Sequence, residues 1–463
     1  MRTLLPLTLA LLAGCPDRTI SAVTPEQGRV EYKDIPITVN RKIDILFVID
    51  DSGSMADKQN NLATNFPNFI NVLETIPGGL PDVHIGVVSS DVGAKATQDA
   101  VPASGIGGCI NDGDGGDLQT SGAALSGGTF LSDVRDSTGA RVKNYSGNLA
   151  DVFSQMAKLG KNGCGFEQHL ESMRKALSNN PANSGFLRPE AYLAVIFIAD
   201  EDDCSMSRTA LLGPKSAALG TQQSFRCTRF GVTCDQGGAT TGAMNQVGSK
   251  DQCHPNEGSE YLEKVQTYVD FLKGLKPGHE DMVIVAGIMG TIEPFQVELR
   301  TINATDGLEP ALAHSCSYTG ASGLEVADPP IRLKFLLDQF PNRSTFTSIC
   351  QNNLSDGLRQ IAELLRSVLP DPCIRGTLAD VDPNTAGPQY DCSVSDVQNP
   401  YKANRVETII PACDATMSAK PCWHIVEDTI GCTEAPNLAI KIERTLIPPD
   451  DTHIIASCVT EAI

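Results

Sequence analysis

Three stretches of this chain carry apolar residues almost without interruption: Ile43-Asp44-Ile45-Leu46-Phe47-Val48-Ile49, residues 192–199 and residues 282–288. Runs that do not alternate mark strands of a parallel sheet covered on both faces, because a half-exposed strand would place a polar residue at every second position. Asp82-Val83-His84-Ile85-Gly86-Val87-Val88-Ser89 reads as a further strand and residues 344–349 as the last. Between them, apolar residues spaced by three and four predict helices over 58–76, 149–159, 166–177, 260–275, 331–340 and 354–369. This order implies an α/β domain built on a doubly wound, mostly parallel sheet. Pro370-Asp371-Pro372 ends the last helix. Short β-type runs then follow, such as Leu438-Ala439-Ile440-Lys441-Ile442 and His453-Ile454-Ile455, and predict a separate small β module over 370–463.

The polar residues that end these strands carry the candidate chemistry. Directly after Ile49 comes Asp50-Asp51-Ser52-Gly53-Ser54-Met55, and after Ala199 comes Asp200-Glu201-Asp202-Asp203. Residues two apart in an extended segment point the same way, so Asp50, Ser52 and Ser54 can converge on one point. One carboxylate and two hydroxyls are hard oxygen ligands that suit Mg²⁺ or Mn²⁺, with Ca²⁺ as a further candidate. The bland alternative is a turn whose Asp and Ser side chains cap the helix that follows. In sheets of this kind ligands bind at the carboxyl ends of the strands, where Asp50 and Asp200 both fall.

On these residues, the stretch 41–369 resembles a von Willebrand factor type A domain, with Asp50, Ser52 and Ser54 matching its metal-ion-dependent adhesion site. The resemblance implies that Asp200 takes the place of the family's third-loop aspartate. It also implies that Glu167, in Gly165-Phe166-Glu167-Gln168-His169-Leu170, stands where the family has a second-loop threonine. That is a departure. A third carboxylate would tighten cation binding and weaken the pull on an acidic partner; alternatively, Glu167 caps its helix.

Two long segments interrupt the family pattern, near 90–149 and 204–257, and loops at the ligand end of such a sheet carry specificity. The first contains Asn111-Asp112-Gly113-Asp114-Gly115-Gly116-Asp117, acids spaced like part of a calcium loop but without its closing glutamate. Gly-Asp turn chemistry accounts for the run equally well.

The amino terminus sets the compartment. Residues 4–12 form an apolar core too short to span a bilayer. Leu12-Ala13-Gly14-Cys15 resembles the lipobox of bacterial lipoproteins, which implies a signal peptide over 1–14 and a lipid on Cys15. The rival is an ordinary secretory signal. Asp17 stands one residue beyond the position of an inner-membrane retention signal, which favours the outer membrane. Residues 15–40 read as a polar tether with an edge strand near 28–32.

Fifteen cysteines less Cys15 leaves fourteen, an even number suited to an oxidising compartment. Proximity in sequence suggests Cys109 with Cys164, Cys204 with Cys253, Cys227 with Cys234 and Cys316 with Cys350. Cys373, Cys392, Cys413, Cys422, Cys432 and Cys458 would bridge among themselves. No closely spaced cysteine pair of the zinc-binding kind occurs.

A formal charge of −20, from 56 acidic and 36 basic residues, argues against nucleic acid as a partner. Enzymatic motifs are missing: Ser52 and Ser54 lie in no nucleophile elbow, no phosphate loop follows a strand, and Cys204 follows four acids that would raise its thiol pKa. Asp202 and Asp203 are adjacent loop acids, of a kind usually solvated. The expectation is therefore a non-enzymatic envelope lipoprotein that binds a divalent cation and, at the cell surface, a protein or other macromolecule. The runner-up is a structural envelope component whose cation only stiffens its loops; a metallohydrolase is the least favoured reading.

Overall fold

The computed structural model describes residues 29–36, 42–76, 79–100, 109–136, 140–302 and 304–369, and most of the chain from 373 to 461 (373–374, 376–382, 384–385, 387–398, 404–414, 416–429, 432, 435–445 and 452–461). Cys15 and the signal segment lie outside the described residues. The chain divides into two compact units, Val39–Pro370 and a second formed by Met1–Thr38 with Asp371–Ile463. The first strand, β1 (Arg29–Pro36), belongs to the second unit.

The larger unit opens with β2 (Lys42–Ile49), α1 (Ala56–Glu74) and β3 (Asp82–Ser89). The first long insertion then supplies β4 (Leu131–Arg135) and β5 (Arg141–Lys143), followed by α2 (Leu149–Met156), α3 (His169–Leu177) and β6 (Tyr192–Ile198). The second insertion holds α4 (Phe225–Gly231), β7 (Val232–Gln236), α5 (Thr241–Met244), β8 (Gly248–Ser249) and β9 (Asp251–Pro255). Next come α6 (Val265–Gly274) and β10 (Val283–Met289). Two hairpins that the sequence pattern did not announce follow, β11 (Gln296–Thr301) with β12 (Leu308–Leu312) and β13 (Cys316–Thr319) with β14 (Leu324–Ala327). The unit closes with α7 (Ile331–Asp338), β15 (Ser344–Ser348) and α8 (Ser355–Val368).

Its central sheet has the order β15-β10-β6-β2-β3-β4-β5. The first five strands are parallel, and the insertion strands β4 and β5 extend the edge in antiparallel fashion. Residues 90–149 are thus partly sheet rather than loop alone. Alternate residues of β2 feed two separate cores: Ile43, Ile45, Phe47 and Ile49 pack with residues of α1, α2 and α8, while Leu46 and Val48 pack with residues of α3, α6 and α7. The apolar run is continuous because both of its faces are buried. Phe66 and Phe69 of α1 and Phe153 of α2 pack around Phe47 with ring centroids 4.7–5.9 Å away. Burial of one such ring contributes about 1.5–3 kcal/mol.

Among the described residues there are seven disulfides, four within the larger unit and three within the smaller. Cys109–Cys164 and Cys316–Cys350 join as sequence proximity suggested. Two expected pairs are replaced: Cys204 bonds Cys227 and Cys234 bonds Cys253. The antiparallel register of β7 and β9 sets Cys234 directly opposite Cys253, so the ladder decides the partner and leaves Cys227 for Cys204. Among the described residues, no helix is long and apolar enough to cross a membrane.

The smaller unit contains β16 (Cys373–Ile374), β17 (Cys392–Gln398), β18 (Val406–Ile410), β19 (Cys422–Glu427), β20 (Leu438–Glu443) and β21 (Thr452–Thr460). These strands form two antiparallel sheets, β1-β21-β17-β18 and β16-β20-β19. Part of the expected tether is therefore an edge strand, β1, paired along its length with β21. Cys373–Cys432, Cys392–Cys458 and Cys413–Cys422 cross-link the module, and Trp423 is buried in its core with Val394, Ile440 and Ile454.

Candidate functional site

In the large sheet β2 has β3 on one side and β6 on the other, so the direction of winding reverses between β2 and β6. The carboxyl ends of these two strands are where such a sheet opens a crevice. Asp50 follows β2 and Asp200 follows β6, and the Asp50 N–H donates to the Ile198 carbonyl at 2.9 Å, which holds the two ends side by side.

The Asp50 loop is a tight turn. Asp50 Oδ1 accepts from the Ser52 N–H at 2.7 Å, the Met55 N–H donates to the Ser52 carbonyl, and the Ser52 and Ser54 hydroxyls meet at 3.2 Å. Neither hydroxyl caps α1: its N-cap is Met55, without a side-chain hydrogen bond. The turn half of the bland alternative is present, and the capping half is absent. Gln59 ties the loop down by donating to the Asp50 and Gly160 carbonyls at 2.9 Å each. Gly163 lies hard against Asp51, where a Cβ would come within 2.3 Å of Oδ1.

Asp50, Asp200 and Glu167 are buried, Ser52 is 5 % exposed, and Ser54 opens to solvent. Burial first, and then Asp50 beside it, pushes the Asp200 carboxyl up to about 7 although Lys58 pulls it down. Burial together with Glu201, Asp50 and Asp200 holds Glu167 well above the usual carboxylate range. Glu201 is raised in the same way, by burial and then by Asp328. Asp51 is pushed to about 7 by burial and by Asp50, Asp91 and Asp114. Carboxylates therefore crowd the end of the sheet, and each resists ionising beside the others.

Two partners that sequence reasoning missed sit among them. Lys58 Nζ reaches Asp200 Oδ2 at 2.9 Å, Glu325 Oε2 at 2.8 Å and the Ser54 carbonyl at 3.1 Å. A lysine in the first turn of a helix runs against the helix dipole, and that was the signal available in the sequence. Glu325 comes from the β13–β14 hairpin, which also holds the start of α1 through Ser322 and Asp57. The second partner is His169, whose Nε2 lies 3.8 Å from Asp50 Oδ2.

Glu167 precedes α3 and does not cap it. The helix has no side-chain cap of its own; the Leu170 and Glu171 N–H groups donate at 2.9 Å to Asp203 Oδ1 and Ser205 Oγ. The Glu167 side chain instead lines a cavity of about 40 Å³ shared with Glu201, Asp328 and Arg300. Asp202 and Asp203, expected as solvated loop acids, are buried and structural. Asp202 accepts from the Arg332 and Leu333 N–H groups at the start of α7, and Asp203 binds the Arg332 guanidinium. In the 111–117 loop the acids diverge, Asp114 accepting from Ser89 and Asp117 from Asn180, and successive turns account for the run.

The donor set can be tested for its fit to a cation. Among the described residues, no three His, Cys, Asp or Glu side chains come together in a way that could hold a metal by themselves. Asp50 Oδ2 and Asp200 Oδ1 are nevertheless buried without a hydrogen-bond partner, and the paired serine hydroxyls lie beside Asp50. A buried acceptor left bare costs about 1–3 kcal/mol. Oxygens of this kind fit a small divalent ion completed by hydroxyls and water.

No family model matches the chain, and neither does any curated protein. Solved structures align with the chain at low identity. The conserved hypothetical protein BatB from Bacteroides thetaiotaomicron aligns at 10% identity and TM-score 0.26, over 70% of this chain and 98% of its own. Proximal thread matrix protein 1 from the mussel byssus aligns at 11% identity and TM-score 0.29, over 73% of this chain and 50% of its own. The pilus adhesin RrgA from Streptococcus pneumoniae aligns at 11% identity and TM-score 0.27, over 94% of this chain and 58% of its own. Similarity at this level does not extend any neighbour's role to the present chain.

Proposed function

We propose that this chain is an exported envelope lipoprotein, anchored through Cys15, whose larger unit is a von Willebrand factor type A module. Its Asp50, Ser52 and Ser54 hold a divalent cation, Mg²⁺ or Mn²⁺, and the cation or the surrounding loops engage a protein or other macromolecule at the cell surface. It is not an enzyme. The observation that carries this reading is the pair of bare, buried oxygens, Asp50 Oδ2 and Asp200 Oδ1, at the strand ends where the sheet reverses its winding. Asp200, half satisfied by Lys58, acts from behind the serine loop rather than as a full ligand.

A second reading has its own support. Lys58 already brings one positive charge to Asp200 and Glu325, so the site also suits a structural component in which charge is balanced internally and the partner binds elsewhere. Calorimetric titration of the mature chain with Mg²⁺, Mn²⁺ and Ca²⁺, followed by partner capture with and without chelator, separates the two. Saturable binding that Asp50→Ala abolishes, with capture lost on chelation, is the expected result. Capture that survives chelation favours the second reading, and failure of every cation to bind removes the first.

A further inference from the structure

We propose that His169 is a nitrogen ligand of the Asp50 site, and that this site takes a first-row transition ion of the Co²⁺ to Zn²⁺ class in preference to Mg²⁺ or Ca²⁺. The inference rests on the reading of the Asp50 cluster as a cation site and changes which ion it selects.

Among the described residues eight buried side-chain nitrogens and oxygens have no hydrogen-bond partner, and four of them are Asp50 Oδ2, Asp200 Oδ1, His169 Nδ1 and His169 Nε2. Such groups are rare in folded proteins and costly in isolation. Here half of them fall on three residues around one crevice. His169 is 0% exposed, so water from outside does not satisfy it.

The placement of the ring is built rather than incidental. The Gln168 side chain donates to the Gly93 and Lys95 carbonyls at 3.3 and 3.2 Å and accepts from the Met206 N–H at 2.9 Å. On the other side, Asp203 and Ser205 hold the Leu170 and Glu171 N–H groups. His169 is thus clamped on both sides, at the first position of α3. Its Nε2 stands 3.8 Å from Asp50 Oδ2, too far for a hydrogen bond. That separation is within the ~4.2 Å that two ligand bonds of about 2.1 Å can span.

Imidazole decides the selectivity. Mg²⁺ and Ca²⁺ favour all-oxygen surroundings, whereas a neutral ring nitrogen beside a carboxylate raises affinity along the series from Mn²⁺ to Zn²⁺. The competing account makes His169 an imidazolium that stands in for the ion as the counter-charge of Asp50. In that case removing the ring would strengthen the binding of every cation.

The test uses the full mature chain, its H169Q variant and three probes. Co²⁺ is followed by visible absorption, Mg²⁺ by calorimetry, and Mn²⁺ by pulsed electron paramagnetic resonance for nitrogen coupling. The expected result is Co²⁺ binding tighter than Mg²⁺ in the parent. In His169→Gln, Co²⁺ should weaken by at least the roughly tenfold that losing even an outer-shell partner costs, while Mg²⁺ changes little. Mg²⁺ binding with no preference for Co²⁺, or affinities unaltered or increased in the variant, would overturn the assignment of His169 and leave the cation reading standing. Failure of the parent to bind any of the three would remove both. If the variant does not fold, the Mn²⁺-loaded parent decides: imidazole nitrogen coupling supports the ligand role, and its absence overturns it.

Discussion

Strand β2 carries a buried aspartate near its amino end and is followed directly by another, and the two are treated in opposite ways. Asp44, at the amino end, is fully satisfied. The Arg188 N–H donates to Oδ2 at 2.7 Å and the Arg188 Nε to Oδ1 at 2.8 Å, while Lys276 donates to the Arg188 carbonyl at 2.7 Å. Asp50, six positions later, keeps a bare oxygen beside a bare imidazole. Both residues are at 0% exposure, so burial alone does not explain the difference. A fold that needs a buried charge for its architecture closes the hydrogen bonds around it, as at Asp44. One that leaves them open spends stability on something else, and strain of that sort collects at functional sites.

The sharpest way to break this comparison is to remove one aspartate at a time. Asp44→Ala strands the Arg188 guanidinium, 15% exposed in its side chain, and should cost about 3–5 kcal/mol in denaturant unfolding. Asp50→Asn removes one of several crowded acids, so in chelator its stability should equal or exceed the parent's. Equal losses at the two positions would end the distinction between a structural and a binding end.

Next in size is the response to a ligand. A cation at a hundred times its Kd stabilises the native state by about 2.7 kcal/mol. The parent's melting temperature should therefore rise by several degrees on saturation with the ion it selects. Asp50→Asn should show no rise and Asp44→Asn, where it folds, should keep it. Differential scanning fluorimetry with and without chelator reads all three.

The effect of pH is smaller and its sign follows from the raised carboxyls. Burial pushes Asp51 and Asp200 up to about 7 in the folded chain, and Asp44 and Asp202 to about 6, from an ordinary value of 3.8. Between these values the folded state holds protons that the unfolded state has released, so stability falls as pH rises through that window. In chelator the chain should melt higher at pH 5 than at pH 8. Asp51→Asn, which leaves the close packing on Gly163 in place, should flatten the slope. A stability that rises over the same range would contradict the raising of these carboxyls by burial.

Much of this architecture could be read from the chain because its rules are local. Continuous apolar runs marked β2, β6 and β10, and the Asp-Ser-Ser spacing marked the loop where the sheet reverses. What escaped was set by partners far away in sequence. The β11–β14 hairpins are short and half exposed, with little apolar periodicity to announce them. The Cys234–Cys253 bridge follows from a ladder register that spacing does not encode. His169 and Glu325 join the site only through tertiary packing. Lys58 was visible as a cation at a helix start, but the carboxylates that justify it were not.

The smallest effect is expected at Glu167, and it tests whether charge or coordination is at work there. Its side chain lines the cavity with Glu201 and Asp328, and it joins no set of three acidic, histidine or cysteine ligands. On this geometry Glu167 acts on a bound ion through space. Glu167→Gln should then weaken divalent binding only a few-fold at pH 8. Because burial and neighbouring acids hold the Glu167 carboxyl well above its usual range, the parent comes to resemble the neutral amide as pH falls. The two proteins should bind more alike at pH 6 than at pH 8. A loss of a hundredfold or more, present at both pH values, would instead make Glu167 a direct ligand and draw the boundary of the site around both carboxylate groups.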